Sequence, residues 1–248
     1  MLRSLVVYWR PGRQPALRRW YREFVPPGSL VFDVGAHVGD RSVAFARLGA
    51  RVIALEPQPA LLPVLRFMTR REPTVTVLQT AAGAAQTQAA LRVSEATPTV
   101  STLSSDWIAS VQHVNRGFRR VRWESTVLVP VTTLDALIEQ YGVPAFVKID
   151  VEGFEAEVLR GLGQPLAAVS FEFIPGTMEV TEASLQRLEA LAAYQYNVAL
   201  GERRRFVFAD WVDQDTLLRW LHGGGSGPMS GDIYARRVSS TPPSRTIA

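Results

Sequence analysis

Apolar positions along this chain fall into short continuous runs separated by stretches with helical spacing. Ser29–Val34 (SLVFDV), Arg51–Leu55 and Thr74–Gln79 (TVTVLQ) read as strands, the first two buried on both faces. Between them, Arg41–Leu48 and Ala60–Arg70 carry the three-to-four-residue spacing of helices, the first closed by Gly49 and the second opened near Pro59 and Pro63. Gly35 to Gly39 is the turn out of the first strand. Strand–helix alternation of this kind predicts a parallel sheet with helices on both faces.

Upstream, Gln14–Phe24 predicts an amphipathic helix presenting Leu17, Trp20, Tyr21 and Phe24, stopped by Pro26-Pro27-Gly28. Downstream, Ala89–Val93 and Thr126–Val131 are strand-like. Glu95–Glu124 between them has little periodicity and reads as an insertion or long loop. Leu134–Tyr141 is helical, with Thr133 as its cap. The alternation resumes with strand Ala145–Ile149, helix Phe154–Arg160, strand Ala168–Phe173 and helix Glu182–Tyr194. Tyr196–Leu200 and Arg205–Phe208 read as a late antiparallel hairpin, followed by helix Gln214–Leu221 and strand Asp232–Arg236. The expected organisation is a basic, aromatic helical segment at 1–27, one α/β domain at 28–238 with an insertion or lid at 95–125, and a disordered tail at 239–248.

Composition narrows the chemistry. Across 248 residues there is no cysteine, which excludes disulfides, thiolate metal sites and a cysteine nucleophile. The three histidines, His37, His113 and His222, lack metal-motif spacing, and no metal is expected, the alternative being a divalent ion between Asp150 and Glu172. No apolar run is long enough for a membrane span, and Leu5–Trp9 is too short for a signal-peptide core; the expectation is a soluble, cytoplasmic protein. The formal charge of +4 is compatible with an anionic partner without specifying one.

Two motifs carry candidate chemistry. In Asp33-Val34-Gly35-Ala36-His37-Val38-Gly39-Asp40, glycines join a buried strand to a helix, allowing a tight turn and close approach of a ligand to the backbone. Glu56 follows the next strand, where an acid in nucleotide-binding α/β folds accepts from ribose hydroxyls. The pair predicts an adenosine-type pocket at the C-terminal sheet edge. The spacing G-x-G-x-x-G is not met, because His37 and Asp40 stand where the second and third glycines belong. This disfavours a dinucleotide against S-adenosylmethionine (SAM), which has no pyrophosphate. Asp33 suits the cationic methionine end. The competing explanation is a glycine turn serving helix packing alone.

The second motif is Val147-Lys148-Ile149-Asp150-Val151-Glu152-Gly153-Phe154-Glu155. Lys148 and Asp150 are charges on a buried strand and share a face. Lys148 is also the single lysine of a chain that otherwise uses arginine. A purely structural ion pair, Lys148 with Asp150 or Glu172, is the alternative.

VFDVGAHVGD (Val31–Asp40), ALEPQPA (Ala54–Ala60), TTLDALI (Thr132–Ile138), VKIDVEGFEAEVLRG (Val147–Gly161) and SFEF (Ser170–Phe173) together resemble the FkbM family of SAM-dependent methyltransferases. The resemblance implies a Rossmann-like class I methyltransferase fold, a seven-stranded, mostly parallel sheet with a late antiparallel hairpin. It implies SAM over the C-terminal edge. Asp33, Gly35 and Gly39 would hold its methionine end and Glu56 its ribose, with Ala36, His37, Asp40 and Pro57 also at the cofactor site, Ala81 and Ala82 beside the adenine, and Asp150 near the methyl group. His37 departs from the family pattern, which commonly has a small polar residue there.

The activity expected is O-methylation of a hydroxyl on a sugar, polyketide or other small metabolite. Asp150 leads as base, Glu172 and Glu152 are alternatives, and Lys148 orients a carboxylate or the acceptor. The acceptor is a small molecule, sugar-bearing or anionic. The competing classes are a nucleic-acid methyltransferase, disfavoured by the absence of a base-methylation motif, a nicotinamide oxidoreductase, and a non-catalytic SAM-binding protein.

Overall fold

The computed structural model describes residues 6–115, 117–227 and 229–238. Its main sheet has seven strands: β1 (Leu30–Val34), β2 (Arg51–Leu55), β3 (Val75–Leu78), β7 (Phe146–Ile149), β8 (Ala168–Phe173), β9 (Tyr194–Leu200) and β10 (Gly231–Arg237). They lie in the order β3-β2-β1-β7-β8-β10-β9, parallel except that β10 runs antiparallel to both neighbours. A second sheet, β4 (Ala81–Ala82), β6 (Ser125–Thr132) and β5 (Thr87–Val93), stands beside the end of β3.

Strand alternation decides which face each residue serves. Phe32, Val34, Ile53, Leu55, Val147 and Ile149 point into one core. Helices α5 (Leu134–Tyr141), α6 (Glu155–Arg160), α7 (Met178–Leu191) and α8 (Gln214–His222) close it with Leu137, Leu159, Leu188 and Leu217. Val31, Val52 and Phe146 point the other way, under α1 (Arg13–Tyr21) and α2 (Asp40–Ala46), which supply Leu17, Tyr21 and Phe45. α3 (Leu62–Thr69) adds Leu65 against Ala54. Leu134 opens its helix as expected: the Ala136 amide donates to Thr133 Oγ1 at 3.1 Å, a cap worth about 1 kcal/mol.

Three expectations are corrected. The late hairpin pairs β9 with β10, while Arg205–Phe208 makes a single bridge, Ala199 to Phe206. Phe206 spends its side chain among Trp20, Trp211 and Tyr234 instead of extending a ladder. The helix expected over Glu182–Tyr194 begins at Met178 and ends at Leu191, leaving Tyr194 to open β9. The stretch Glu95–Glu124 is not a bare loop. It holds α4 (Ser105–Val114), capped by Ser104 Oγ accepting from the Trp107 amide at 3.0 Å. Trp107 and Val111, one turn apart, bury against Ile174. The tail 239–248 lies outside the described residues.

Candidate functional site

β1, β2 and β7 end together, and an open hollow of about 770 Å³ lies above them. Of the residues expected at the site, Gly35, His37, Glu56, Pro57, Ala81, Ala82, Asp150 and Glu152 line it. Asp33, Ala36, Gly39, Asp40, Lys148 and Glu172 do not.

The reasons are local. Asp33 is an inward position of β1 on the α2 face, and its Oδ2 accepts from Ser42 Oγ at 2.5 Å. Burial lifts its carboxyl to about 6. Asp33 therefore ties the strand to α2 beneath the turn. Asp40 is likewise buried, held by Arg13 Nε at 2.7 Å. Gly35 has φ 85°, and a Cβ there would stand 1.9 Å from the Asp150 carbonyl oxygen. The glycine is what lets the β1 turn and the β7 end meet.

Glu56 closes the opposite wall. Its two oxygens each accept one backbone N–H, from His37 and from Gln58, both at 2.9 Å. Each oxygen keeps a free lone pair for a ligand hydroxyl. Burial raises this carboxyl to about 7. His37, at φ 50°, lies edge-on to the Tyr8 ring with centroids 5.4 Å apart. Burial lowers its imidazole to about 4, so it is neutral at pH 7.

Lys148 is fully buried, its Nζ 2.9 Å from Asp232 Oδ1 and 3.3 Å from Asp150 Oδ2. The anticipated partner Glu172 is replaced by Asp232 on the antiparallel β10. Burial pushes the Asp150 carboxyl up, but Lys148 and then Arg41 more than reverse this and hold it below the ordinary carboxylate range. One oxygen each from Asp150, Glu152 and Glu172 lie within 4.8 Å of one another. Three such acids cannot all ionise. Burial, and then the neighbouring carboxylates, drive Glu152 and Glu172 well above the ordinary range. Asp150 is thus the member of the cluster that ionises most readily, and Glu152 and Glu172 hold their protons to higher pH than free carboxyls do. Glu155, the last acid of the motif, accepts from the Val151 and Gly153 amides at 3.1 and 3.3 Å and shapes the turn.

Sequence reasoning missed Tyr8, Arg41 and Gln58, and the rim formed by Pro98, Ser101 and Leu103. Arg41 is the second residue after the glycine turn, which was an available signal. Arg119, Arg120 and Arg122 of the 95–125 insertion are not among the residues that line the hollow.

The fold and the strand-end hollow together define a class I methyltransferase architecture. The FkbM methyltransferase domain model matches residues 33–225, and the chain belongs to that family. It is a methyltransferase, and the methyl donor of the family is SAM. The hexuronic acid methyltransferase AglP of Haloferax volcanii is 27% identical over 179 residues, covering 70% of this chain and 67% of its own. Among solved structures, the precorrin-6y C5,15-methyltransferase of Geobacter metallireducens overlays with TM-score 0.47 at 13% identity, covering 91% and 88% of the two chains. An O-methyltransferase of Bacillus cereus overlays with TM-score 0.47 at 12% identity, covering 92% and 81%. No helix among the described residues is long and apolar enough to cross a membrane.

The residues fit the donor: free carboxylate lone pairs on Glu56 face the hollow, and the turn at Gly35 brings backbone to its wall. If Glu56 accepts from the ribose, it must be ionised. Donor affinity should then rise about tenfold from pH 6 to pH 8, across the value near 7 that burial sets. Glu56→Ala should flatten that profile and weaken S-adenosylhomocysteine by about 1.5–3 kcal/mol at pH 8. Calorimetry at both pH values checks this, and an unchanged profile in the variant would reassign the ribose contact.

Proposed function

We propose that this chain methylates a hydroxyl oxygen of a sugar-bearing small molecule. The observation that carries the reading is the pairing of Glu56 and Asp150 on facing parts of one hollow, the first suited to a ribose and the second an ionised carboxylate at the end of β7. The donor supplies an activated methyl group. Gly35, His37, Glu56 and Pro57 would hold it, with Ala81 and Ala82 beside its base.

Methyl transfer chiefly needs an acceptor held in line, an effect worth up to roughly 7–11 kcal/mol. Asp150 is the group assigned to take the acceptor's hydroxyl proton, because its carboxyl ionises more readily than those of Glu152 and Glu172. Lys148 acts through Asp150, keeping it ionised and fixed. The sugar assignment draws support from the hexuronic acid methyltransferase to which the chain is similar.

The test is methylation of p-nitrophenyl glucoside and p-nitrophenyl glucuronide with methyl-labelled SAM. The expected product is an alkali-stable methyl ether on the sugar. Label released by mild alkali would mark a carboxyl ester and overturn the hydroxyl assignment. No label in either glycoside would overturn the sugar assignment.

A further inference from the structure

Arg41 occupies the first turn of α2, and its side chain lines the hollow beside Asp150, His37 and Tyr8. The side chain is 18% exposed. Three carboxylates stand around its guanidinium, yet none is in hydrogen-bonding reach. Asp40 Oδ1, Asp150 Oδ2 and Glu202 Oε1 are each 3.9 Å away. Each of them has a nearer cation. Asp40 takes Arg13 Nε at 2.7 Å, Glu202 takes Arg13 at 2.8 and 3.1 Å, and Asp150 takes Lys148 at 3.3 Å. The Arg41 Nε is shut away from solvent without an acceptor.

A guanidinium in this condition is positioned but not consumed. The surrounding acids fix where the charge sits, while its donors stay free. A guanidinium held at the wall of the hollow, with every neighbouring acid 3.9 Å away and satisfied by a nearer cation, suits an anionic partner brought by a ligand. The fork geometry of arginine matches a carboxylate in two parallel hydrogen bonds, which a lysine cannot reproduce.

We propose that Arg41 is the anion anchor of this hollow, binding a ligand carboxylate beside Asp150. This rests on the hollow being the donor and acceptor site. Two carboxylates qualify: that of the donor's methionine end and that of a uronic acid acceptor.

Calorimetry separates them without any turnover. In the first arm, wild type and Arg41→Gln are titrated with S-adenosylhomocysteine and with its decarboxylated analogue. If Arg41 holds the donor, wild type favours the intact compound by roughly 10- to 100-fold and the variant loses that preference. In the second arm, D-glucuronate is titrated into each protein saturated with S-adenosylhomocysteine. If Arg41 holds the acceptor, the first-arm preference survives and glucuronate binding falls by a similar factor. Arg41→Lys keeps the charge and loses the fork, and should recover only part of the effect. It also serves as the reading if Arg41→Gln does not fold. A variant indistinguishable from wild type in both arms overturns the proposal. Binding of S-adenosylhomocysteine by wild type is read separately, so failure of the donor site and failure of Arg41 give different results.

Discussion

Asp150→Asn should reduce methyl transfer by about 10²–10⁴-fold while leaving S-adenosylhomocysteine affinity within a few-fold of wild type. The substitution is nearly isosteric. Its amide oxygen can still face Lys148, 3.3 Å from the present carboxylate, so the buried ammonium keeps a partner there and keeps Asp232. What is lost is the carboxyl of the cluster that ionises most readily and can receive a proton. Glu152 and Glu172 do not substitute for it while they share a cluster whose members resist ionisation. Removing the charge of Asp150 relieves one cause that raises each of them, so some residual turnover that increases with pH is the expected signature. Single-turnover rates across pH, with calorimetry for the donor, check both halves. Unchanged turnover would take Asp150 out of proton transfer and point to an acceptor already ionised.

The sheet was legible because its central strands are buried on both faces and leave short, largely apolar runs such as Leu30–Val34, broken only by Asp33, and Val52–Leu55. Leu134–Tyr141 was legible to the residue because Thr133 marks one end and Gly142 the other. β10's partner was not, because antiparallel pairing across a long connection leaves no local trace, whereas two nearby apolar segments mimic a hairpin. α4 was hidden for a related reason. Its buried stripe is only Trp107 and Val111, and the apolar Ile108, Ala109 and Val114 scatter over the rest of the helix among polar residues. At the site, the acids at strand ends were visible from their neighbours, but which way each side chain points depends on register. Asp33 and Glu56 both belong to strand–turn junctions, yet Asp33 falls on the face packed by α2, with Ser42 waiting there, and Glu56 falls on the hollow. Lys148 gave its burial away through the apolar run around it. That its second partner is Asp232 depends on β10, the strand the sequence did not place.

Lys148→Met should cost about 3–5 kcal/mol of stability, the range found when one member of a buried charge set is removed. The methionine fills much of the space, so the loss is electrostatic more than a cavity. Lys148 is 0% exposed and donates to Asp232 Oδ1 at 2.9 Å and to the Ile149 carbonyl at 3.2 Å, with Asp150 beside it. Burial pushes its ammonium down, but Asp150 and then Asp232 more than reverse this, so it is charged throughout the working pH range. Deleting it leaves two carboxylates facing one buried space, on β10 and at the end of β7. Lys148→Arg should not restore the protein, because the fork needs more room than Phe146, Tyr21 and Tyr234 leave around that strand face. Urea unfolding monitored by tryptophan fluorescence gives the stability change. The informative comparison is the double variant Lys148→Met with Asp232→Asn, which removes one of the two orphaned charges and should recover a substantial share of the loss. If Lys148→Met alone unfolds like wild type, the buried ammonium is not what holds the end of β7 in place, and the ionisation assigned to Asp150 loses its cause.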